Sequence, residues 1–353
     1  MRLSRAMVIG AVVCAALTHQ VFAQQNFTFT LFERYLDSLR QQAGIPGLSV
    51  AVVGERAILW ERGLGLQDIE GSIAASPDTT YPILDLNQTF ASTLALQCVD
   101  RADLSVTDDV RYWTETVPAG TTVGELLSHI GPDATPGFHY APARFVALTP
   151  ALEDCGDRAY SRLLTERILD RMAMFDSVPG RDLGNPTTPS RALFDSVQLD
   201  RFDHALSRVA TPYKVDRSGK AARSEYLVDG VDAASGIIST VRDLARYDVA
   251  LSSGALVHPE TLALAWTNAL TVGDMAVPTG LGWFVQNYRG ERIVWHFGLA
   301  HDAYSSLIVK VPRRNLTFIV LANSDGLSAS FPLSRGDVTA SVFAQLFLRT
   351  FVS

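Results

Sequence analysis

The chain has 353 residues, 47% of them hydrophobic and 19% charged, enough apolar material for a large core in one or two domains. It carries a net charge of −7, three lysines (Lys214, Lys220, Lys310) and no basic run. This excludes the clustered positive footprint that nucleic acids or anionic membrane surfaces need.

The first residues read as an export signal. Arg2 and Arg5 give a basic start, Met7 to Thr18 an apolar run, and Val21-Phe22-Ala23 a small-residue cleavage site. The run is shorter than the roughly 20 apolar residues a bilayer-spanning helix needs. The alternative is a retained anchor; Cys14 follows Val13 rather than the small residue of a lipoprotein signal. Cleavage after Ala23 leaves 24–353, with 28 basic against 37 acidic side chains and a net charge of −9. The expectation is a periplasmic or extracellular protein with no membrane span after cleavage. Cys98 and Cys155 then either pair in an oxidising compartment or stay as buried thiols in helix-like stretches.

Phe29 to Ala43 reads as an amphipathic helix broken by Gly44-Ile-Pro-Gly47. Leu48 to Val53 and Ala57 to Trp60 read as a strand pair joined by Gly54-Glu-Arg. Gly63-Leu-Gly65 lacks the third glycine and the strand-to-helix setting of a dinucleotide loop. From Asp85 to Asp176 the pattern is mostly helical, with Phe90, Leu94 and Cys98 four residues apart and a further amphipathic stretch from Tyr160 to Met174. Asn185 to about Ser224 is polar and irregular. Thr240 and Asp243 suit a helix start, strand signals follow at 282–286, 305–311 and 316–322, and an apolar helix closes the chain near Val338 to Phe351. Helix and hairpin first, helices in the middle, strands and helix last suggest one sheet built from both chain ends (24–84 and about 230–353), with an inserted helical subdomain at about 85–229.

Several stretches together resemble the class C β-lactamase and penicillin-binding-protein-like family. They are Gly44-Ile-Pro-Gly-Leu-Ser-Val-Ala-Val-Val53, Ser235-Gly-Ile-Ile-Ser-Thr-Val-Arg-Asp-Leu-Ala245, Gly280-Leu-Gly-Trp-Phe284, Trp295-His-Phe-Gly298 and Asn315 to Gly326. The resemblance implies an α/β (α+β) fold of the β-lactamase/transpeptidase type, with a mainly antiparallel sheet flanked by helices. It also implies three catalytic motifs. The first is Ser-x-x-Lys at a helix start, where the lysine activates the serine and the helix dipole favours developing negative charge. Here that stretch reads Asp85-Leu-Asn-Gln88. A carboxylate is a poor acyl acceptor, and an amide cannot take a serine's proton. The same four residues approximate a helix capping box, the favoured reading of the pair. A functional Asp85, as base or ligand-binding carboxylate, is the alternative.

The second motif, Tyr-x-Asn, keeps Tyr140 but has Pro142 where the asparagine holds the substrate amide, and proline has no donor. By default Tyr140 is a buried tyrosine with a hydrogen-bond partner. The third, a Lys/His-x-Gly strand beside the scissile bond, keeps His296 and Gly298, with the bulk of Phe297 between them. Ser128-His-Ile-Gly131 resembles a family turn that is usually structural. His296 and His301 lack a third ligand, and no zinc spacing occurs, so neither metal nor cofactor is expected. None of the lysines follows a serine by three; Thr211-Pro-Tyr-Lys214 has the spacing but a threonine, in a strand-like stretch.

The sequence therefore predicts an exported pseudoenzyme with a binding or structural role, its ligand a small molecule or peptide in a vestigial cleft. The alternative is an active hydrolase of esters, amides, D-amino-acid peptides or β-lactams, using Asp85, Tyr140 and His296. Catalytic positions are thus Asp85, Gln88, Tyr140 and His296, and ligand-binding positions Pro142, Phe297 and Gly298. Nothing in the sequence sets the oligomeric state.

Overall fold

A computed structural model describes residues 27–131, 137–271 and 273–352. The export signal lies outside the described residues. The first helix, α1 (residues 27–42), buries Phe29, Phe32 and Leu36 along one face. The hairpin β1 (Gly47–Val53) and β2 (Ile58–Asp68) follows, then β3 (Ile73–Ala74) and β4 (Tyr81–Pro82).

The middle of the chain is helical. It holds α2 (Asn87–Asp100), α3 (Val123–Leu127), α4 (Thr149–Gly156) and α5 (Tyr160–Leu164), the last running into a π turn at Thr165–Leu169. After β5 (Val178–Pro179) comes α6 (Ser196–Leu206), inside the stretch whose sequence reads as irregular. Its start is a capping box: the Asp195 carboxyl accepts from the Gln198 N–H, and the Gln198 side chain accepts from the Asp195 N–H. Phe202 and Ala205 are its buried contacts. The helix is short and its apolar face narrow, so the prolines and polar residues around it hide its period.

The chain continues through β6 (Tyr213–Val215), β7 (Ala221–Arg223) and β8 (Ile237–Ser239) to α7 (Val241–Ser252) and α8 (Pro259–Ala265). Thr240 caps α7 by accepting from the Asp243 N–H, as the sequence predicts. Four strands, β9 (Phe284–Tyr288), β10 (Glu291–Ala300), β11 (Tyr304–Val311) and β12 (Leu316–Ala322), precede the last helix, α9 (Val342–Phe351).

Among the described residues, the large sheet has seven strands in the order β3-β2-β1-β12-β11-β10-β9, antiparallel throughout. β1 pairs with β12, Val50 opposite Val320, so the sheet closes on strands from both ends of the chain. The strand period of two divides its side chains. Val50, Val52 and Phe318 face α1 and α9, while Ala51, Val53 and Ile319 face α2 and α7. Each such large apolar side chain, fully buried, contributes about 1.5–3 kcal/mol.

Two covalent or charged ties join the layers. Cys98 of α2 and Cys155 of α4 form a disulfide, which settles the alternative left open by the sequence. Lys310 of β11 donates to Asp248 of α7 at 2.8 Å and to Thr317 at 3.0 Å, with both charged side chains 4% exposed. No helix among the described residues is long and apolar enough to cross a membrane.

Candidate functional site

The segment between β4 and α2 positions the site. Leu84–Leu86 forms a 3-10 turn, and Leu84 sits at φ +60°, a left-handed conformation that costs a leucine about 1 kcal/mol or more. α2 begins only at Asn87, and neither Asp85 nor Gln88 caps it; the cap position is Leu86, with no side-chain bond. The capping-box reading is therefore corrected. Asp85 instead lines the cavity described below, and Gln88 is buried in the interior.

β10 lies directly against this turn. A Cβ on Gly298 would stand 2.7 Å from the Leu84 Cβ, 2.8 Å from the Ile83 oxygen and 2.4 Å from the Ser306 Oγ. Only glycine allows that approach. Ser306 Oγ donates to the Ile83 carbonyl at 2.8 Å, and Asn87 Nδ2 donates to the carbonyls of Asp232 and Ala233 at 2.8 and 3.1 Å. The turn is thereby fastened to the sheet and to the loop before β8.

Asp85, Tyr140, Pro142 and Phe297 line one cavity of about 350 Å³, together with Leu299, His301, Phe331 and Ser328. Asp85 is half-buried, and burial pushes its carboxyl up to about 7; the Leu299 N–H and the Tyr140 hydroxyl oppose that rise. The Tyr140 hydroxyl is buried beside the Asp85 carboxyl, toward which it acts as a donor. Burial and the adjacent Asp85 charge hold that phenol well above its ordinary range. Its ring stacks on Phe297 at 5.2 Å, so the phenylalanine between His296 and Gly298 fills part of the cleft.

Gln88 and His296 lie behind this cavity rather than in it, 0% and 1% exposed. Gln88 Oε1 lies 3.0 Å from His129 Nε2 and 3.3 Å from His296 Nε2. His296 Nδ1–H donates to the Phe297 carbonyl at 2.8 Å, and burial lowers that imidazole to about 4. His129 Nδ1 accepts from the Ala141 N–H at 3.3 Å, and burial lowers His129 too, with His296, Arg144 and His139 nearby adding to it. His129 is the site residue that sequence reasoning missed. It lies in Ser128-His-Ile-Gly131, the turn read as structural, and that motif was the available signal.

His301 stands exposed at the cavity rim, away from the buried His296. Among the described residues no group of three or more His, Cys, Asp or Glu side chains is arranged to hold a metal ion. Lys214 is at the surface, paired with Asp302 at 2.8 Å, and Thr211-Pro-Tyr-Lys214 leads into β6. A larger groove of about 800 Å³ runs between β2 and α7, but none of the family-equivalent positions line it.

Comparison with known proteins agrees with this architecture. The octameric penicillin-binding protein homologue from Pyrococcus abyssi superposes with a TM-score of 0.72 at 20% identity, over 91% of this chain and 77% of that one. The D-amino acid amidase from Ochrobactrum anthropi SV3, solved with L-phenylalanine amide, gives 0.67 at 16% identity, over 90% of this chain and 99% of that one. Protein flp of Staphylococcus aureus strain MW2 is 23% identical over 329 residues, 80% of this chain, and the match spans 60% of that relative's length. The β-lactamase family model matches residues 32–337, and with that span and this fold the chain belongs to the β-lactamase family of serine hydrolases.

Proposed function

We propose that this protein is an exported, catalytically silent member of the family that keeps its cleft for binding a small molecule or peptide end. The observation that carries the reading is the loss of both halves of the nucleophilic unit, with Asp85 and Gln88 at those positions. Removing the nucleophile of such a unit typically lowers turnover by a factor on the order of 10⁶. The replacements are also integrated into other bonding. Gln88 is held between two imidazoles, and the Asp85 carboxyl faces the Leu299 N–H, a donor of the kind an oxyanion needs. Export is supported by the apolar start and by the Cys98–Cys155 bridge, since such bonds persist in oxidising compartments.

A hydrolase with a rebuilt centre of Asp85, Tyr140 and His296 is the second reading. A carboxyl pushed up to about 7 suits a general base near neutral pH. Against it, His296 is buried behind the cavity, its Nδ1–H donated to the Phe297 carbonyl and its Nε2 facing Gln88 rather than Asp85. The deciding experiment is hydrolysis of a chromogenic ester and a chromogenic cephalosporin by the purified protein, Asp85→Ala and Asp85→Ser/Gln88→Lys. The expected outcome is silence in both wild type and Asp85→Ala. Turnover in wild type that Asp85→Ala abolishes would establish the hydrolase instead.

A further inference from the structure

The cavity has a carboxyl at its base, aromatic walls and no lysine or arginine among its lining residues. Asp85 makes no ion pair among the described residues. A buried charge without a partner is costly, and the cheapest remedy is a counter-charge supplied from outside. The Tyr140 hydroxyl has an unused lone pair there, and the rings of Tyr140, Phe297 and Phe331 border the same space. Aromatic faces attract cations, and a carboxylate accepting from an ammonium forms a charge-assisted bond.

We propose that the cleft takes an organic ammonium ion, its charged head on the Asp85 carboxylate and its apolar body against Tyr140, Phe297 and Phe331. This rests on the binding reading above and names its ligand class. A neutral ligand leaves the carboxylate unpaired, and an anion meets like charge. The volume, about 350 Å³, suits a ligand with a single ring.

The proposal has a pH signature. Because burial holds Asp85 up at about 7, a cation must displace its proton below that pH. Affinity then rises about tenfold per pH unit up to about 7 and levels off above. The other groups facing Asp85 do not mimic this. Tyr140 and Tyr226 are pushed upward and stay neutral, and His296 on β10 is pushed down to about 4 and stays neutral too. The turn carrying Asp85 and the segment 328–334 bring no other titratable side chain, which leaves the rim imidazole of His301 as the group to control for.

The test is calorimetric titration of the purified protein with benzylammonium, benzyl alcohol and benzoate between pH 5 and 8, in wild type, Asp85→Asn and His301→Asn. The proposal expects benzylammonium to bind about tenfold or more tighter than benzyl alcohol above pH 7, with benzoate weakest. Asp85→Asn should erase the preference, and His301→Asn should keep the pH dependence. Equal binding of the three, no binding of benzylammonium, or a pH dependence that vanishes in His301→Asn overturns the proposal. Ester turnover followed in the same samples separates the two readings: wild-type turnover lost in Asp85→Asn overturns silence while an ammonium preference stands, and silence with equal binding overturns only the ammonium inference.

Discussion

Asp85 is where function and stability pull apart. Its carboxyl is raised from 3.8 to about 7 on folding, so between those values the native state holds a proton that the unfolded chain has lost. Stability attributable to this group is therefore present at low pH and falls as pH rises through about 7. Asp85→Asn should match wild type near pH 4 and exceed it by about 2–4 kcal/mol near pH 8, as chemical denaturation at the two pH values would measure. A second residue-scale tension sits at Gln88. With His129 accepting at Nδ1, its Nε2–H donates to Gln88 Oε1; with His296 donating at Nδ1, its Nε2 lone pair faces that same oxygen. Gln88 Nε2 meanwhile has no partner. Gln88→Glu should raise the His296 pKa by about 1–3, because a carboxylate favours the imidazolium. A side-chain NMR titration reads this directly, and an unmoved His296 would refute the bonding pattern.

At the scale of elements, three joints carry the site. The Cys98–Cys155 bridge closes a 57-residue separation between α2 and α4, and loop closure of that length stabilises by about 4 kcal/mol. Cys155→Ser should lower the unfolding midpoint accordingly. The Lys310–Asp248 pair fixes α7 on the sheet from inside, so Asp248→Asn, which strands a buried ammonium, should cost about 3–5 kcal/mol. Gly298→Ala forces β10 off the turn that carries Asp85; the expected loss is about 1–3 kcal/mol together with weaker ligand binding, checked by denaturation and titration. Of these joints the sequence offered only the Cys98–Cys155 bridge, as one of two alternatives. Lys310 was one of only three lysines, but nothing local pointed to Asp248, and the left-handed Leu84 ahead of Asp85 lies against Gly298 of β10, far along the chain.

For the whole molecule, β1, β11 and β12 were legible because their hydrophobic runs are continuous, whereas β10 entered only through the resemblance; the ordered series from Gly44 to Gly326 carried the family. The sheet built from both chain ends followed from that order. What the sequence withheld was depth: Gln88, His129 and His296 read as polar residues of a cleft or turn, yet all three are at most 2% exposed. Burial of polar groups depends on partners hundreds of residues away, and no local pattern encodes it.

The seat of Gln88 between two imidazoles also bears on descent. A lysine placed alone at that position would be sealed in a site 0% exposed, against His129 and His296 and with no serine to activate. A serine placed alone at position 85 would find an amide where its base should be. Neither single step restores anything selection can favour, and the first disturbs the core. On the catalytically silent reading proposed above, a lineage that reached this arrangement would cross back only by two changes made together, so its descendants should diversify in what they bind.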